Sequence, residues 1–395
     1  MRIVLVGNYP KDKQESMERF ARMMEAGFKN AGHAVEIWRP SVFFGRPFKA
    51  TTGGIAKWFG YLDKWLLYAL VLRVKRSFAG ADTLYHVCDH SNSFYVRHLP
   101  SNRTSITCHD VLAIRGGLGY ADAYAPASGF GKYMQRWILS NLLTAKKIAC
   151  VSQFTLGQLT DLAKDKGKQP ADWRVIHNGF NDDFSPVSKE ESRELLKSAG
   201  VNIDEPYILH VGSRQLRKNR KMLIDMVHAA GDRYTGKIVY AGFEIEPALY
   251  AHAEQQGVKD RVIGVTKPPH KVLKALYSSS YAFVFPSLSE GFGWPVIEAQ
   301  ACGTPVIASS TAPMPEVSGG AALHADPLNP EGFANALAQL ADPAVRTKLL
   351  EDGKRNVTHF TPEIMMDAYE SMLGISTDNS KAGVQERSRS VALPQ

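Results

Sequence analysis

The feature that most constrains this chain is an alternation that occurs twice: short apolar runs separated by stretches of helical period. The opening shows it plainly. An apolar run at residues 2–6 leads into a helical period through Met17, Phe20, Met24 and Phe28, a stop at Gly32, and a second run at 33–38. Short buried strands alternating with helices imply a parallel sheet. Further strands are expected at 83–87, 104–107, 147–151 and 173–176. A polar stretch at 181–191, holding Pro186 and several acids, has the character of a connection. A second β-α series then runs through 207–211, 237–241, 261–265, 281–285 and 306–308. A length of 395 residues accommodates two domains. The expected architecture is therefore two doubly wound α/β units, residues 1–185 and 206–375, joined by 186–205. The helix expected from Pro362 to Leu373 is apolar enough to dock, whereas 376–395, rich in Ser, Gly and charge, is expected to be disordered.

Composition narrows the partners. Residues 1–185 carry 25 Lys/Arg against 15 Asp/Glu and the remainder 22 against 24, so the whole positive excess lies in the first half. Such asymmetry points to an anionic partner on one half only. Cys88, Cys108, Cys150 and Cys302 form no C-x-x-C pair, which argues against a disulfide framework or a thiolate zinc site. The start, with Gly7, Asn8, Tyr9 and Pro10 after a four-residue apolar run, has no secretory character, so a cytoplasmic protein is expected, peripheral at most on the inner face of the membrane.

Residues 286–305, PSLSEGFGWPVIEAQACGTP, carry the most specific chemistry. A buried strand runs into a Gly-rich turn (Gly291, Gly293), a helix opening with Pro295, and a stop at Gly303 and Pro305. That turn presents backbone N–H groups at a helix N-terminus, where a diphosphate is stabilised by unsatisfied donors and the helix dipole. Glu290 and Glu298 can both face the crevice at the carboxyl ends of the strands, and carboxylates there accept hydrogen bonds from paired sugar or ribose hydroxyls.

The segment EGFGWPVIEAQACGTPVIAS resembles the Glu-x7-Glu signature of glycosyltransferase family 4, retaining enzymes of the GT-B fold with two facing Rossmann-like domains. VGSRQLRKN (211–219) resembles the family's phosphate-binding segment and ITCHDVLAI (106–114) its His-Asp motif. VSQFT (151–155), VIHNGFNDDFSP (175–186) and PEVSGGAALHADPLNPE (315–331) match as well. The first hundred residues match weakly, as expected where an acceptor is selected. The resemblance implies catalytic roles for His109, Glu290, Arg217 and Lys218, and substrate contacts for Glu298, Gly291, Phe292, Gly293, Gly7 and Asp110. Arg217 and Lys218, and alternatively Arg214, would meet the departing diphosphate, Glu298 the ribose, and Glu290 and His109 the donor sugar. It implies a nucleotide-sugar donor, no cofactor and no metal ligand set. An epimerase or phosphorylase on the same fold, and a non-catalytic nucleotide-binding scaffold at the membrane, remain alternatives. A nicotinamide dehydrogenase is disfavoured, since Gly7-Asn8-Tyr9-Pro10 is no G-x-G-x-x-G.

The tract 43–78 is unusual. It holds seven Lys or Arg against one acid, Asp63, interleaved with Phe44, Trp58, Phe59, Tyr61, Trp65 and Tyr68. Its longest uncharged stretch is far short of a bilayer span. Two readings stand side by side: an amphipathic segment at an anionic membrane surface, where a lipid-linked or polysaccharide acceptor would be met, and an ordinary core helix with solvated lysines. Nucleic acid is the weaker partner, because no binding motif accompanies the charge.

Overall fold

The computed structural model describes residues 1–375; the expected disordered tail, 376–395, lies outside the described residues. Two six-stranded sheets form, parallel at every pairing. The first contains β1 (Arg2–Val6), β2 (Ala34–Trp38), β3 (Leu84–Val87), β4 (Thr104–Cys108), β5 (Lys147–Cys150) and β6 (Asp172–Val175), in the order β2-β1-β3-β4-β5-β6. The second contains β7 (Tyr207–Gly212), β8 (Lys237–Gly242), β9 (Val262–Thr266), β10 (Ala282–Phe285), β11 (Val306–Ser309) and β12 (Leu323–Ala325), in the order β12-β11-β10-β7-β8-β9. This is the GT-B arrangement of two doubly wound units. The apolar runs expected as strands all pair; β12 escapes sequence reading because three residues carry no usable period.

Each sheet buries both faces, so its central strands are mostly apolar, and the polar side chains buried in β3 and β4 pair with one another, His86 meeting Ser105 at 2.8 Å and Thr107 at 3.0 Å. In the first sheet Val4, Val6, Tyr85 and Ile106 face one core, while Ile3, Leu5, Leu84 and Ala149 face another. The second core is completed from the far end of the chain. The helix Pro362–Leu373, capped by Thr361 and ended by Gly374 at φ +79°, lays Met365, Met366, Tyr369, Met372 and Leu373 against the helix Glu15–Asn30. Its Tyr369 hydroxyl meets Thr107 Oγ1 at 2.7 Å, and Lys147 Nζ donates to the Met372 carbonyl at 2.7 Å. This helix follows the second unit in the chain, yet the surface it covers belongs to the first. The segment read as a linker also does more than connect. The helix Lys189–Lys197 buries Leu196, and with Val201 it joins the core of the second sheet.

In the basic tract, Gly54–Tyr61, a wider π-type turn Leu62–Leu67, and Tyr68–Ser77 follow one another as a single helical rod. Asp63, its one acid, is fully buried. It accepts hydrogen bonds from the Tyr9 hydroxyl at 2.6 Å and from the backbone N–H groups of Phe43, Phe44 and Gly45 at 2.8 to 3.1 Å, which moors the rod to the loop after β1. Tyr68 and Leu72 enter the core of the first sheet, with Trp65 packed against it. No helix among the described residues is long and apolar enough to cross a membrane.

Candidate active site at the domain interface

In open α/β sheets, ligands bind beyond the carboxyl ends of the strands, where neighbouring strands send the chain in opposite directions. The strand orders locate two such points, between β7 and β10 and between β1 and β3. The loops leaving these strands carry most of the residues singled out from the sequence.

After β7, one helical turn, Leu216–Lys218, is closed by Asn219 in the left-handed region at φ +50°. The Asn219 side-chain amide donates to the Pro286 and Pro327 carbonyls at 3.1 and 2.7 Å, and Leu288 N–H donates to the Arg217 carbonyl at 2.7 Å. These bonds hold the β7 loop against the β10 loop, and the charges of the two loops meet at Glu290. Its Oε2 lies 2.5 Å from Arg217 Nη1 and its Oε1 2.6 Å from Lys218 Nζ. Burial raises the carboxyl pKa of Glu290, but the two adjacent cations outweigh it and hold the group below its ordinary value. Burial lowers the Lys218 pKa, with Glu290 opposing. The cluster is two cations around one anion, so a unit of positive charge is left over in a largely water-excluded place, where it interacts strongly with an incoming anion. Arg214 is elsewhere, exposed and bound to Glu244 at 3.0 Å, so of the two arginines it is Arg217 that joins this cluster.

The helix Trp294–Ala301 begins beside these charges, with Gly293 at φ +106° as its cap and Pro295 in its first turn. Glu298 projects from it and is 8% exposed, with Oε2 accepting from the Tyr277 hydroxyl at 2.9 Å. Burial pushes its pKa up to about 7, partly offset by the Tyr277 hydrogen bond and by Arg19 and Lys218, while Asp182 adds to the rise. Tyr277, on the helix His270–Ser279, is buried and has no signal in the sequence that sets it apart from a core tyrosine. The Phe292 side chain packs in the core of the second sheet beside His177, Trp294 and Phe360, so its backbone N–H is the part left to meet a ligand, as expected for the amides of this turn.

From the first domain, His109 and Asp110 follow β4. The His109 ring lies edge-on to Phe20 at 4.6 Å, with Nε2 at 2.9 Å from the Cys88 carbonyl. A carbonyl can only accept, so the proton sits on Nε2. Burial lowers the ring's pKa, which keeps it neutral and leaves Nδ1 as an acceptor. Asp110 Oδ1 caps the Leu112 N–H at 3.0 Å. Asp89, after β3, is buried beside His109 and accepts from Asn8 at 2.6 Å and from Ser91; the sequence offered no reason to single it out. Gly7 closes β1, with Ile37 and Arg39 of its own domain beside its α-carbon.

The two half-sites touch at Gly291. A β-carbon there would lie 1.9 Å from the His109 carbonyl oxygen, so glycine alone permits this approach. The Gly291 carbonyl accepts from Ser152 Oγ at 2.7 Å and Thr155 Oγ1 at 3.2 Å, both at the start of the helix Gln153–Lys164. Nearby, Glu316 Oε1 accepts from Gln153 N–H at 2.8 Å and contacts His177 Nε2 at 2.7 Å. His109, Asp110, Glu290, Arg217 and Lys218 are thereby brought into one cleft. The Ser-x-x-Thr pattern after β5 could have marked a capped helix start, but not its cross-domain bond.

Residues 17–184 match the family Glycosyltransferase Family 4, and residues 191–356 match Glycosyl transferases group 1. The chain belongs to glycosyltransferase family 4. Among curated proteins of this family, it is 28% identical over 283 residues to O-antigen chain mannosyltransferase B of Escherichia coli, covering 69% of this chain and 70% of that one. Its fold is shared with sucrose-phosphate synthase from Thermosynechococcus elongatus (TM-score 0.73, 20% identity, 95% of this chain and 100% of that one). It is shared as well with HepE of Anabaena, solved in complex with UDP (TM-score 0.69, 13% identity, 95% and 100%). As a family 4 glycosyltransferase the chain keeps both acids of the Glu-x7-Glu signature and brings the first against the paired Arg and Lys of the β7 loop.

Proposed function

We propose that this glycosyltransferase moves a sugar from a nucleotide-sugar donor to a hydroxyl of a lipid-linked glycan or a polysaccharide or lipopolysaccharide precursor, with retention, forming an α-glycosidic bond. The observation that carries the reading is the buried Arg217–Glu290–Lys218 cluster at the switch point of the second sheet, with its surplus positive charge and His109 on the opposite wall. Mannose is favoured by the similarity to an O-antigen mannosyltransferase, with GDP-mannose as the donor that the family resemblance implies, and a nucleoside diphosphate leaving group is favoured by the neighbour solved with UDP.

In this mechanism Arg217, Lys218 and the amides of residues 291–293 hold the diphosphate, and Glu290 and neutral His109 accept hydrogen bonds from donor-sugar hydroxyls. As the glycosidic bond lengthens, charge develops on the leaving phosphate beside Lys218 and Arg217, which stabilise it without reorganising. Glu290 is tied by two cations and poorly basic, which suits it to orienting the sugar rather than taking a proton. The acceptor hydroxyl then attacks on the face the phosphate leaves, and the departing phosphate takes its proton. The acceptor enters from the basic first domain at an anionic membrane surface. Incubation with a panel of labelled nucleotide sugars and membrane extract tests the reading, with the anomeric configuration of the product read by NMR. A β-linked product from an α-linked donor would overturn retention, and donor binding without transfer would favour the scaffold.

Two predictions arise here. Glu298 is assigned to the ribose, and its carboxyl accepts fully only when ionised. With its pKa raised to about 7, affinity for intact nucleotide sugar should be highest above pH 7 and fall by up to about tenfold per pH unit below it. Glu298→Gln should bind weakly and without this slope. Calorimetry from pH 5.5 to 8.5 decides, the intact donor being chosen because its diphosphate diester does not titrate there. The second concerns metal. Asp182 and Asp183, the neighbouring acids, contact His270 at 3.5 Å and Lys274 at 2.8 Å, and the diphosphate is assigned cations of the protein itself. Activity in excess chelator should stay within about twofold of untreated enzyme, about 0.4 kcal/mol in barrier. Loss of activity with rescue by magnesium or manganese would overturn it.

A further inference from the structure

The rod formed by residues 54–77 has two apolar faces, and only one is covered. Tyr68 and Leu72 are in the core. On the outer side Ile55, Trp58, Leu62, Leu66, Leu70 and Val74 are 40 to 70% exposed. Their spacing is almost strictly four residues, which in a regular helix drifts by about 40° per step, since each residue turns about 100°. The π-type turn Leu62–Leu67 closes i to i+5 and is wider, so it takes back part of that drift and keeps the side chains on one face. The result is an apolar ridge about 30 Å long. Beside it Trp58, Phe59, Tyr61 and Trp65 line a groove of about 410 Å³. Phe130, 4.8 Å from Trp58 between ring centroids, extends the apolar surface from the neighbouring helix.

Within the tract itself the exposed charges are all of one sign. Arg46, Lys49, Lys57, Arg73, Lys75 and Arg76 are exposed, whereas the tract's one acid, Asp63, is buried under four hydrogen bonds. Lys64 is taken from the solvent by its 2.6 Å ion pair with Asp12. A soluble protein partner would have to match an apolar ridge and the tract's exposed cations at once. An anionic bilayer offers both, hydrocarbon for the ridge and lipid phosphates for the rim.

We propose that this ridge inserts into the headgroup–acyl boundary of an anionic membrane, with the rod lying in the membrane plane. The proposal rests on the reading that the acceptor is met at a membrane, and it adds that apolar insertion, with the basic rim steering, holds the protein there. The rod is moored by Asp63 to Tyr9 and by Lys64 to Asp12, on the loop that follows β1, so insertion sets the acceptor side of the cleft at the lipid surface.

The test uses the full chain with vesicles of phosphatidylcholine alone or mixed with phosphatidylglycerol. Flotation should show binding to the anionic vesicles, and lipids brominated on the acyl chain should quench fluorescence that disappears in Trp58→Phe. The double variant Leu70→Glu/Val74→Glu, which alters only exposed positions, should lose at least tenfold in partitioning while binding nucleotide sugar as wild type does. Equal partitioning of variant and wild type, or wild-type binding without acyl-chain quenching, overturns insertion and leaves the membrane reading standing. Failure of the wild type to bind any vesicle at low salt overturns both. A concentration-dependent dimer abolished by the double variant, without lipid binding, makes a second copy of the chain the occupant and also overturns it.

Discussion

Lys218→Ala and Arg217→Ala are each expected to lower turnover at saturating donor by about 10² to 10³, the cost of removing one preorganised donor from a developing oxyanion, roughly 2.7 to 4 kcal/mol. Both cations are largely buried, with side chains 12% and 19% exposed, so water replaces neither well. Each also holds one oxygen of Glu290, and either variant leaves a buried carboxylate with a single cationic partner. The losses should not add. Both residues act on the same phosphate and the same glutamate, so the double variant should fall little below the worse single one. Steady-state kinetics measure this, with thermal melting to show that each variant is folded. Wild-type turnover in both single variants would remove the cluster from the mechanism.

Gly291→Ala should be nearly as damaging without touching any charge. The added methyl would sit 1.9 Å from the His109 carbonyl oxygen and 2.8 Å from the Asp110 β-carbon. Neither is the free end of a flexible side chain, so the strain is relieved only if the domains move apart by about an ångström or more. That separates His109 from Glu290, and a misplacement of this size costs about 10² in rate. We expect kcat/KM to fall by at least that factor. Free nucleoside diphosphate, assigned to the second domain alone, should bind within a few-fold of wild type. Gly157→Ala is the control: it lies in a helix with no atom within 4 Å of the added methyl, and activity should be unchanged. If Gly291→Ala retains full activity, the closed contact between the domains is not the working one.

The sequence by itself determined the two sheets and the chemistry of the loops. Strands buried on both faces are largely apolar, so β1 and β10 are written as apolar runs and β7 as a run broken only by His210, while β4, Thr-Ser-Ile-Thr-Cys, is a run legible from its place in the alternation; the parallel pairing follows from the helices between them. Glu290, Glu298, His109, Arg217 and Lys218 were legible because each stands directly after such a run or in the helix that follows it, where a doubly wound fold puts its ligands. Only the tertiary structure decided what depends on contacts between segments distant in the chain. That Arg217, rather than Arg214, joins Glu290 follows from the Asn219–Pro286 and Leu288–Arg217 bonds that clasp the two loops. The raised pKa of Glu298 comes from its burial beside Tyr277, and the closeness of the half-sites from Gly291 against His109. The helix Pro362–Leu373 shows its apolar face in the sequence but not its destination, because helical period tells which side is buried and never against what. The ridge at 55–74 is the reverse case: sequence counts its apolar residues, and only folding reveals which of them the core leaves uncovered.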